Sequence, residues 1–584
     1  MEKTLQALLV EKLDKAITSA FPEWKADGSE VVQSTQDQFG HYQCNSCLKI
    51  GKEIKKNPRE VALKVVEQLQ SDLSFSAIFA KIEVAGPGFI NITLASPILE
   101  NRICDLLHDE FLGVSRPVVR EKVIVEFSSP NVAKELHVGH LRSTIIGDSI
   151  ARIFTFLGED VLRLNHIGDW GTQFGMLIHF LKLEHPEILS GQEPTDLIHL
   201  MNWYKQSKKR FDEDLAFKKE AQLEVVKLQG GDVSALKSWE MICAISRKAF
   251  QEIYDLLDVK IEERGESFYN PFLLDVVSDL EKKGLVTLSG GARCVFLDGI
   301  FGRDGEPLPM IVQKSDGGFN YETTDMAALR HRVDVEKADR IIYLTDAGQS
   351  LHFQMVFQAA AKAGYYDPVR TRLDHVPFGV VLGSDGKKFK TRSGETEKLI
   401  DLLEEAVVRA RAIVEERLPE ISSEEKDLAA RTLGIGAVKY ADLSGNRIKD
   451  YVFSYERMLK FEGNTAAFLL YAFVRIQGIK RKGGKDMDEL VKEASIHLEH
   501  PSEVQLALHL CQLEEVLRMV SRDLFPNRLA DYLYMLAERF NVFYRDCRVE
   551  GDPKEKSRLL LCEAAGRVLQ KGLELLGLKT IDRM

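Results

Sequence analysis

Strand-like and helix-like segments alternate from Lys122 to about residue 400, and this alternation restricts the fold more than any other feature. The run KVIVEF (122–127) is short, apolar and β-branched, as strands buried in parallel sheets are. A polar loop and a helical pattern from His137 to Leu157 follow it. Further candidate strands are VLRLNHIG (161–168), CVFLDG (294–299), MIVQK (310–314) and RIIYLTD (340–346). The alternation predicts a doubly wound α/β domain with a parallel sheet.

Regions of different character flank this part. Residues 1–112 combine helical patterns with the strand-like KIEVAGPGFINITL (81–94), which predicts a small separate domain. After about residue 400 strand signals vanish, and helical patterns predict an all-α domain over 401–584. Residues 180–260 are helical and rich in charge, so we expect a helical insertion in the 113–400 domain, with the charges on a solvated face.

Composition limits the class of protein but leaves its partners open. The chain is 45% hydrophobic and 29% charged, which allows several buried cores and argues against long disordered spans. We expect no membrane-spanning segment, because no run of about twenty apolar residues occurs. The N-terminal segment reads as an amphipathic helix rather than a signal peptide, so the expected compartment is the cytoplasm. The net charge of −11 gives no support to a broad basic surface, but it allows local basic patches.

The eight cysteines are scattered. Cys44 and Cys47 form a C-x-x-C pair, but neither a second pair nor a histidine cluster follows at zinc spacing. We expect ordinary reduced thiols and no dedicated metal site, with a metal or redox role for this pair as the alternative.

The strongest local signal is HVGH (137–140), placed at the start of a helix after the first strand. His137 and His140 are three residues apart, so they share a helix face at an end where free N–H groups and the helix dipole attract anions. Gly139 lets a flat base approach the backbone closely. Such a pair can donate hydrogen bonds to phosphate oxygens as charge develops. Taken alone, the four residues could equally be two unrelated histidines.

The motif resembles the HIGH signature of class I aminoacyl-tRNA synthetases, which use a Rossmann-type domain. GSDGKKFKTRSGE (383–395) resembles their second signature, the KMSKS loop, whose cations neutralise the pyrophosphate leaving group. The resemblance assigns ATP binding to the histidines, Gly139 and the loop cations Lys387, Lys388, Lys390 and Arg392, with Lys388 and Lys390 catalytic. Thr391 stands where the second lysine is expected, and Lys134 is a hypothetical substitute for it.

Six blocks in order resemble the arginyl-tRNA synthetase family: SSPNVAKELHVGHLRSTIIGD (128–148), NHIGDWGTQFG (165–175), GESFYNP (265–271), YETTDMAAL (321–329), DAGQSLHF (346–353) and LGSDGKKFKTRSGE (382–395). The resemblance covers essentially the whole chain. It implies a Rossmann-type catalytic domain, a small N-terminal α+β domain that contacts the tRNA elbow, and an all-α domain that contacts the tRNA stem and binds the anticodon. Glu135 departs from the family, since many members have proline there.

The substrate implied by the resemblance is L-arginine. Its guanidinium is planar and permanently charged, with five donors, and is matched by carboxylates held in its plane. By resemblance, Glu266 and Asp325 supply that charge and Tyr321 packs beside it. A surface salt bridge is the simpler interpretation of either acid taken singly. Further arginine-binding positions implied by the resemblance are Ser129, Asn131, His140, Asn165 and Gln349. Gly168, Asp169 and Gly171 are expected to be structural.

On the tRNA side, Tyr471 and Arg475 are four residues apart on a predicted helix and share a face, where both can stack on unpaired bases of the anticodon. A core tyrosine beside a solvated arginine is the alternative. The family resemblance implies tRNA(Arg), arginine and ATP as partners, Mg²⁺ accompanying ATP, tRNA-dependent activation and a monomer. The rival functions are a simple nucleotidyltransferase, an inactive tRNA-binding paralogue and a synthetase for another amino acid.

Overall fold

The computed structural model describes residues 3–24, 28–34, 36–190, 193–302, 304–383, 385–387, 389 and 398–583. The N-terminal region is a four-stranded antiparallel sheet in the order β1-β2-β4-β3, with helices packed against it. Its elements are α1 (Leu5–Ala20), β1 (Val31–Gln33), β2 (Tyr42–Cys44), α2 (Ser46–Glu53), α3 (Pro58–Gln70), α4 (Phe75–Ile78), β3 (Phe79–Ala85), β4 (Phe89–Leu94) and α5 (Ser96–His108). The strand-like run 81–94 is therefore a hairpin of two strands, because residues 86–88 form its turn.

The central region contains a five-stranded parallel sheet in the order β12-β11-β5-β6-β7. Its elements are β5 (Lys122–Glu126), α6 (Val138–Leu157), β6 (Asp160–Asn165), α7 (Thr172–Glu184), α8 (Pro186–Leu189), α9 (Leu197–Glu213), α10 (Leu215–Gln229), α11 (Val233–Leu256), β7 (Glu262–Glu263), α12 (Glu266–Tyr269), α13 (Leu273–Lys282), β8 (Thr287–Ser289), β9 (Ala292–Phe301), β10 (Pro307–Gln313), α14 (Tyr321–Asp334), β11 (Arg340–Asp346), α15 (Ser350–Lys362), β12 (Arg372–Phe378) and β13 (Val381–Leu382). The predicted parallel sheet is confirmed, and its order reverses on either side of β5, as in Rossmann-type folds.

Two of the predicted strands do not join this sheet. The runs at 294–299 and 310–314 lie in β9 and β10, which form a separate antiparallel sheet with β8. The connections explain the difference: β8 and β9 are joined by Gly290 and Gly291, and β9 and β10 by five residues. Such short connections join antiparallel neighbours, whereas a parallel pair needs a long crossover.

Helices α7 to α11 form the helical layer between β6 and β7. They share a buried core that includes Phe174, Leu200, Phe217 and Ile242, and it is separate from the core beneath the sheet. The predicted helical structure over 180–260 is thus confirmed. These helices follow the carboxyl end of β6 in the chain.

The C-terminal region is helical apart from one short strand. Its elements are α16 (Leu399–Arg417), α17 (Ser423–Leu443), β14 (Tyr451–Val452), α18 (Tyr455–Met458), α19 (Ala466–Gly483), α20 (Met487–Lys492), α21 (Pro501–Cys511), α22 (Leu513–Asp523), α23 (Asn527–Asp546) and α24 (Glu555–Leu575). The expectation of no strand after residue 400 was wrong at this one place, where β14 pairs in parallel with β13. Two residues are too short a run to give a periodic signal.

One buried core runs through all three regions. It includes Leu9 and Ile103 of the N-terminal region, Ile145 of α6, and Leu433 and Leu569 of the C-terminal region. The domain limits at 112/113 and 400/401 stay predictions. Among the described residues, no helix is both long and apolar enough to cross a membrane.

Candidate active site at the carboxyl end of the parallel sheet

The loop after β5 has a constrained backbone. Ser128, Ser129 and Ala133 have φ values of 68°, 47° and 60°, which side-chain-bearing residues rarely adopt. Two buried groups hold the loop: the Ser128 hydroxyl lies 2.8 Å from the Tyr254 hydroxyl, and the Ser129 N–H donates to Asn165 Oδ1 at 3.0 Å. Strand β5 is therefore followed by a fixed loop, which leads into the HVGH motif.

Helix α6 begins directly after His137, which caps it. The Gly139 N–H donates to His137 Nδ1 at 3.1 Å, and the His137 N–H donates to His140 Nδ1 at 3.1 Å. The two rings are 4.1 Å apart between centroids. Since each Nδ1 accepts a hydrogen bond, a neutral imidazole carries its proton on Nε2. The two imidazole rings therefore lie on the same side of the start of α6, as the sequence predicted.

His140 is held in its neutral form. Burial, followed by the positive charges of His137 and Lys134, lowers the pKa of His140 to about 3. A neutral imidazole with Nδ1 engaged by the backbone offers Nε2–H as a fixed donor at physiological pH. The histidine thus suits hydrogen bonding to a developing anion rather than service as a permanent cation.

Asp325 lies on the first turns of α14 and is the centre of a polar pocket. His352 Nε2 on α15 lies 2.6 Å from Asp325 Oδ2, and His166 Nε2 after β6 lies 3.9 Å from Oδ1. Burial would raise the pKa of Asp325, but the hydrogen bond and charge of His352 outweigh burial and hold it below its usual value. The carboxylate is therefore ionised and prepared for a cation.

Glu266 opens helix α12 beside this pocket. Burial, followed by the negative charges of Asp325 and Asp169, raises the pKa of Glu266 to about 8. Asp169 positions this turn, because it accepts hydrogen bonds from the Ser267 N–H at 2.8 Å and the Ser267 hydroxyl at 2.6 Å. The two acids proposed from the sequence are thus brought together. A cation placed between them would offset both the burial and the repulsion that raise the pKa of Glu266.

The other predicted arginine-binding residues differ in their placement. Tyr321 stands at the rim, 60% exposed, with its ring 5.0 Å from that of His352. Gln349 and Asn131 are exposed at the carboxyl ends of β11 and β5. Asn165 is buried, and its amide serves the protein itself: Oδ1 accepts from Ser129 and Nδ2 donates to the Tyr254 hydroxyl at 3.1 Å. We interpret Asn165 as the support of the loop.

Sequence reasoning missed His166 and His352, which frame Asp325. Both lie just beyond the carboxyl end of a strand, within blocks that the sequence had already singled out. The rule that ligands of α/β sheets bind at those ends would have found them. Gly168 behaves as expected of a structural residue, since a Cβ there would lie 2.1 Å from Asn131 Oδ1.

Residues 383–395, which follow β13 and are called the basic segment below, are only partly within the described residues. Lys388, Lys390, Thr391 and Arg392 lie outside them. Lys387 is exposed in a turn where the Gly383 N–H donates to its carbonyl at 2.8 Å. Beyond the segment, Lys398 Nζ pairs with Glu135 Oε1 at 2.7 Å, and the Leu399 N–H donates to the Leu136 carbonyl at 3.0 Å. The residue that departs from the family pattern, Glu135, therefore pairs with the start of the chain that follows the basic segment, close to the HVGH motif.

On α19, Tyr471 and Arg475 do share a face. Arg475 Nη2 donates to the Tyr471 hydroxyl at 3.3 Å, Nη1 donates to Asn541 Oδ1 at 2.7 Å, and the guanidinium carbon lies 4.9 Å from the tyrosine ring centroid. Tyr471 is 38% exposed, so the core alternative for it is wrong. Val542 and Tyr544 of α23 are also exposed.

Cys44 and Cys47 are both fully buried. Burial raises the pKa of both thiols, that of Cys47 to about 12, so both are protonated. Within the part of the chain that the structure describes, no cluster of three His, Cys, Asp or Glu side chains is arranged to hold a metal ion.

A Rossmann-type sheet, followed after β5 by a helix that begins with a histidine pair, and a helical C-terminal region are the features of a class I aminoacyl-tRNA synthetase. Residues 102–455 match the model described as "tRNA synthetases class I (R), catalytic domain", residues 469–584 the "DALR anticodon binding domain", and residues 3–94 the "Arginyl tRNA synthetase N terminal domain". The chain belongs to the arginyl-tRNA synthetase family.

Individual relatives agree with this assignment. The chain is 58% identical to the arginine–tRNA ligase of Protochlamydia amoebophila and 50% identical to that of Chlamydia caviae, over all of both chains in each case. The arginyl-tRNA synthetase structure of Plasmodium falciparum is 33% identical with a TM-score of 0.87, and covers 100% of this chain and 99% of its own. That of Thermus thermophilus is 25% identical with a TM-score of 0.77, and covers 99% and 100%.

Proposed function

We propose that the chain joins L-arginine to tRNA(Arg) in two steps. In the first, the arginine carboxylate attacks the α-phosphorus of ATP and releases pyrophosphate, which leaves arginyl-adenylate. In the second, a hydroxyl of the terminal ribose of the tRNA attacks the adenylate carbonyl and releases AMP. The pocket of Asp325 and Glu266 supports this proposal most directly, because two neighbouring, half-buried acidic side chains match a guanidinium.

The residues act through position and electrostatics. Asp325 and Glu266 bind the guanidinium, and Tyr321 covers it from the rim. Ser129, Asn131 and Gln349 bind the α-amino and carboxylate groups of the arginine. His137, His140 and Gly139 meet the nucleotide at the helix start, and His140 Nε2–H donates to phosphate oxygens as charge develops.

The remaining partners follow from the same assignment. Lys387, Lys388, Lys390 and Arg392 neutralise the leaving pyrophosphate, and Lys134 substitutes for the lysine that Thr391 replaces. Mg²⁺ accompanies ATP, held by its phosphates. Tyr471 and Arg475 stack on anticodon bases, and bound tRNA is needed for the first step. The protein acts as a cytoplasmic monomer.

A charging assay with a panel of labelled amino acids and a tRNA(Arg) transcript tests the function. We expect charging by arginine alone. Charging by a different amino acid would contradict the arginine assignment and leave the class intact. Binding of tRNA without any charging would favour the inactive paralogue.

Arginine binding should release protons and tighten as the pH rises. Free Glu266 has a pKa raised to about 8 and is protonated below that pH, whereas the guanidinium binds its carboxylate. The Kd for arginine should therefore fall about tenfold per pH unit between pH 6 and 8 and then level off. Calorimetry in buffers of different ionisation enthalpy measures the released proton. In Glu266→Gln the dependence should be nearly flat, and an equally steep profile in that variant would contradict the assignment.

Tyr471→Ala should weaken tRNA binding. Stacking of one base on an aromatic ring contributes about 1–3 kcal/mol, so KM for tRNA should rise roughly 5- to 150-fold while kcat at saturating tRNA changes little. Tyr471→Phe is the matched control, because it keeps the ring and removes only the hydroxyl. Equal KM values for wild type and Tyr471→Ala would exclude stacking at this position.

A further inference from the structure

A buried ion pair joins α14, the helix that carries Asp325, to strand β5. Glu126 is the last residue of β5 and is 4% exposed, and Arg332 of α14 is 0% exposed. Glu126 Oε2 lies 2.5 Å from Arg332 Nη2. Two helical turns separate Arg332 from Asp325, so the two residues project from the same side of α14. The pair therefore fixes that side of the helix to the central strand of the parallel sheet.

These two elements hold opposite ends of the substrate in the proposed mechanism. Asp325 of α14 binds the guanidinium, whereas Ser129 and Asn131, in the loop after β5, bind the α-amino and carboxylate groups. That loop is held in place, because the Ser129 N–H donates to Asn165 Oδ1 at 3.0 Å. The distance between α14 and β5 therefore has to match the length of the arginine side chain.

Tyr343 of β11 extends the contact to a third element. It lies beside Glu126 on the neighbouring strand, and its ring centroid is 5.3 Å from the guanidinium carbon of Arg332. The same ring lies 4.9 Å from that of Phe353 on α15, the residue that follows His352. The pair is thus packed into the part of the core that supports the helix of His352 as well as the helix of Asp325.

Stability alone is a poor explanation of this pair. Both side chains are almost fully buried, and within the described residues Nε and Nη1 of Arg332 make no hydrogen bond. The desolvation of two charges often exceeds their attraction, and apolar side chains of similar volume then stabilise a fold equally well or better. A buried ion pair adds a defined geometry instead, because its contact is short and directional.

We propose that Glu126 and Arg332 are positioning residues that set the length of the amino acid the site accepts, because they fix α14 against β5. The inference deepens the proposed function and rests on it, since arginine then spans the two elements. Homoarginine carries the same guanidinium on a side chain that is longer by one methylene. Charge does not distinguish the two amino acids, so their discrimination reports the distance between the two ends of the site.

The test compares arginine with homoarginine in the charging of tRNA(Arg) transcript. Glu126→Leu/Arg332→Met replaces the pair by apolar side chains of similar volume, and Glu126→Asp keeps the charge but moves the carboxylate back by one methylene. Arg340→Met/Asp374→Leu is the matched control. The Arg340–Asp374 pair is also largely buried, with Nε 2.7 Å from Oδ2, but it lies towards the amino ends of β11 and β12.

Wild type should favour arginine over homoarginine roughly 10- to 200-fold in kcat/KM, the usual effect of one methylene. In the Glu126→Leu/Arg332→Met variant, kcat for arginine should fall roughly tenfold or more, since a misplacement of about 1 Å can cost about 100-fold. The preference for arginine should shrink about fivefold or more in this variant and in Glu126→Asp. The melting temperature of the apolar double variant should stay close to that of wild type. The control should keep the wild-type kcat and preference, whatever its melting temperature.

An unchanged preference in the folded variants of Glu126 and Arg332 would overturn the inference. A fall in kcat that follows the melting temperature and leaves the preference intact would also overturn it, because a purely structural pair behaves in that way. If the double variant does not fold, Glu126→Asp decides the question. Failure of the wild type to charge tRNA(Arg) with arginine would instead remove the proposed function, and the inference with it, whereas intact charging leaves that function standing.

Discussion

Asp325→Asn should lower kcat/KM for arginine by roughly 10³-fold or more, with KM for ATP changed less than about twofold. The substitution keeps an oxygen that can accept from His352, which holds Asp325 at 2.6 Å, so the pocket should keep its shape. It removes the charge that matches the guanidinium, and a site built to hydrogen-bond its substrate loses on the order of 10⁴-fold when that match fails. Steady-state pyrophosphate exchange in the presence of tRNA measures the effect.

Asp334→Asn is the matched control for this prediction. Asp334 lies on the same helix, α14, but its side chain is exposed. It forms a surface ion pair with Arg330, in which Oδ2 lies 3.6 Å from Nε. Surface pairs of this kind contribute about 0–1 kcal/mol, so the variant should behave as wild type. A loss below about tenfold in Asp325→Asn would show that Asp325 does not bind the guanidinium, which would leave Glu266 as its main partner.

His140→Asn should lower the maximal rate of pyrophosphate exchange by about 10²- to 10³-fold, as the loss of one oriented donor to a developing oxyanion does. The asparagine oxygen can take the place of Nδ1, which accepts from the His137 N–H at 3.1 Å, so the start of α6 stays capped. Only the Nε2–H donor is lost. KM for ATP should change little, because the donor acts mainly in the transition state.

His140→Gln gives the complementary change. Its amide can approach the position of Nε2, but it gives up the cap, so it should keep more activity than His140→Asn and lose more stability. The two variants should therefore rank in opposite order by exchange rate and by melting temperature. The same order in both measurements would mean that His140 acts through the helix start alone.

The sequence predicted three of the five strands of the parallel sheet, because β5, β6 and β11 are runs of five to seven residues separated by clear helices. The sequence analysis missed β12, and it missed β7, which consists of two glutamates. It failed for β9 and β10, whose composition resembles that of the other strands. Their partners are decided by the length of the connecting turns. Strands β13 and β14 have two residues each, and only tertiary contact reveals them.

The candidate site shows a similar division. The histidine pair was found because it stands at a helix start directly after a strand, and the two acids were found through the family resemblance of the blocks that contain them. Arg332 and His352 were missed because their contacts are with residues at distant positions, Glu126 and Asp325. Asn165 was assigned to the substrate, and only the structure places its amide on Ser129 and Tyr254.

The shared core has a consequence for synthesis of the chain. Helix α24 packs against both α5 and α6, and Arg567 donates to the Leu107 carbonyl across 460 residues at 2.7 Å. On the ribosome, the part of the surface of α6 that packs against α24 therefore stays uncovered until α24 has been made. Until then the growing chain exposes apolar surface on α6, the helix that carries the histidine pair. We therefore expect the final folding step to come late and to depend on chaperones.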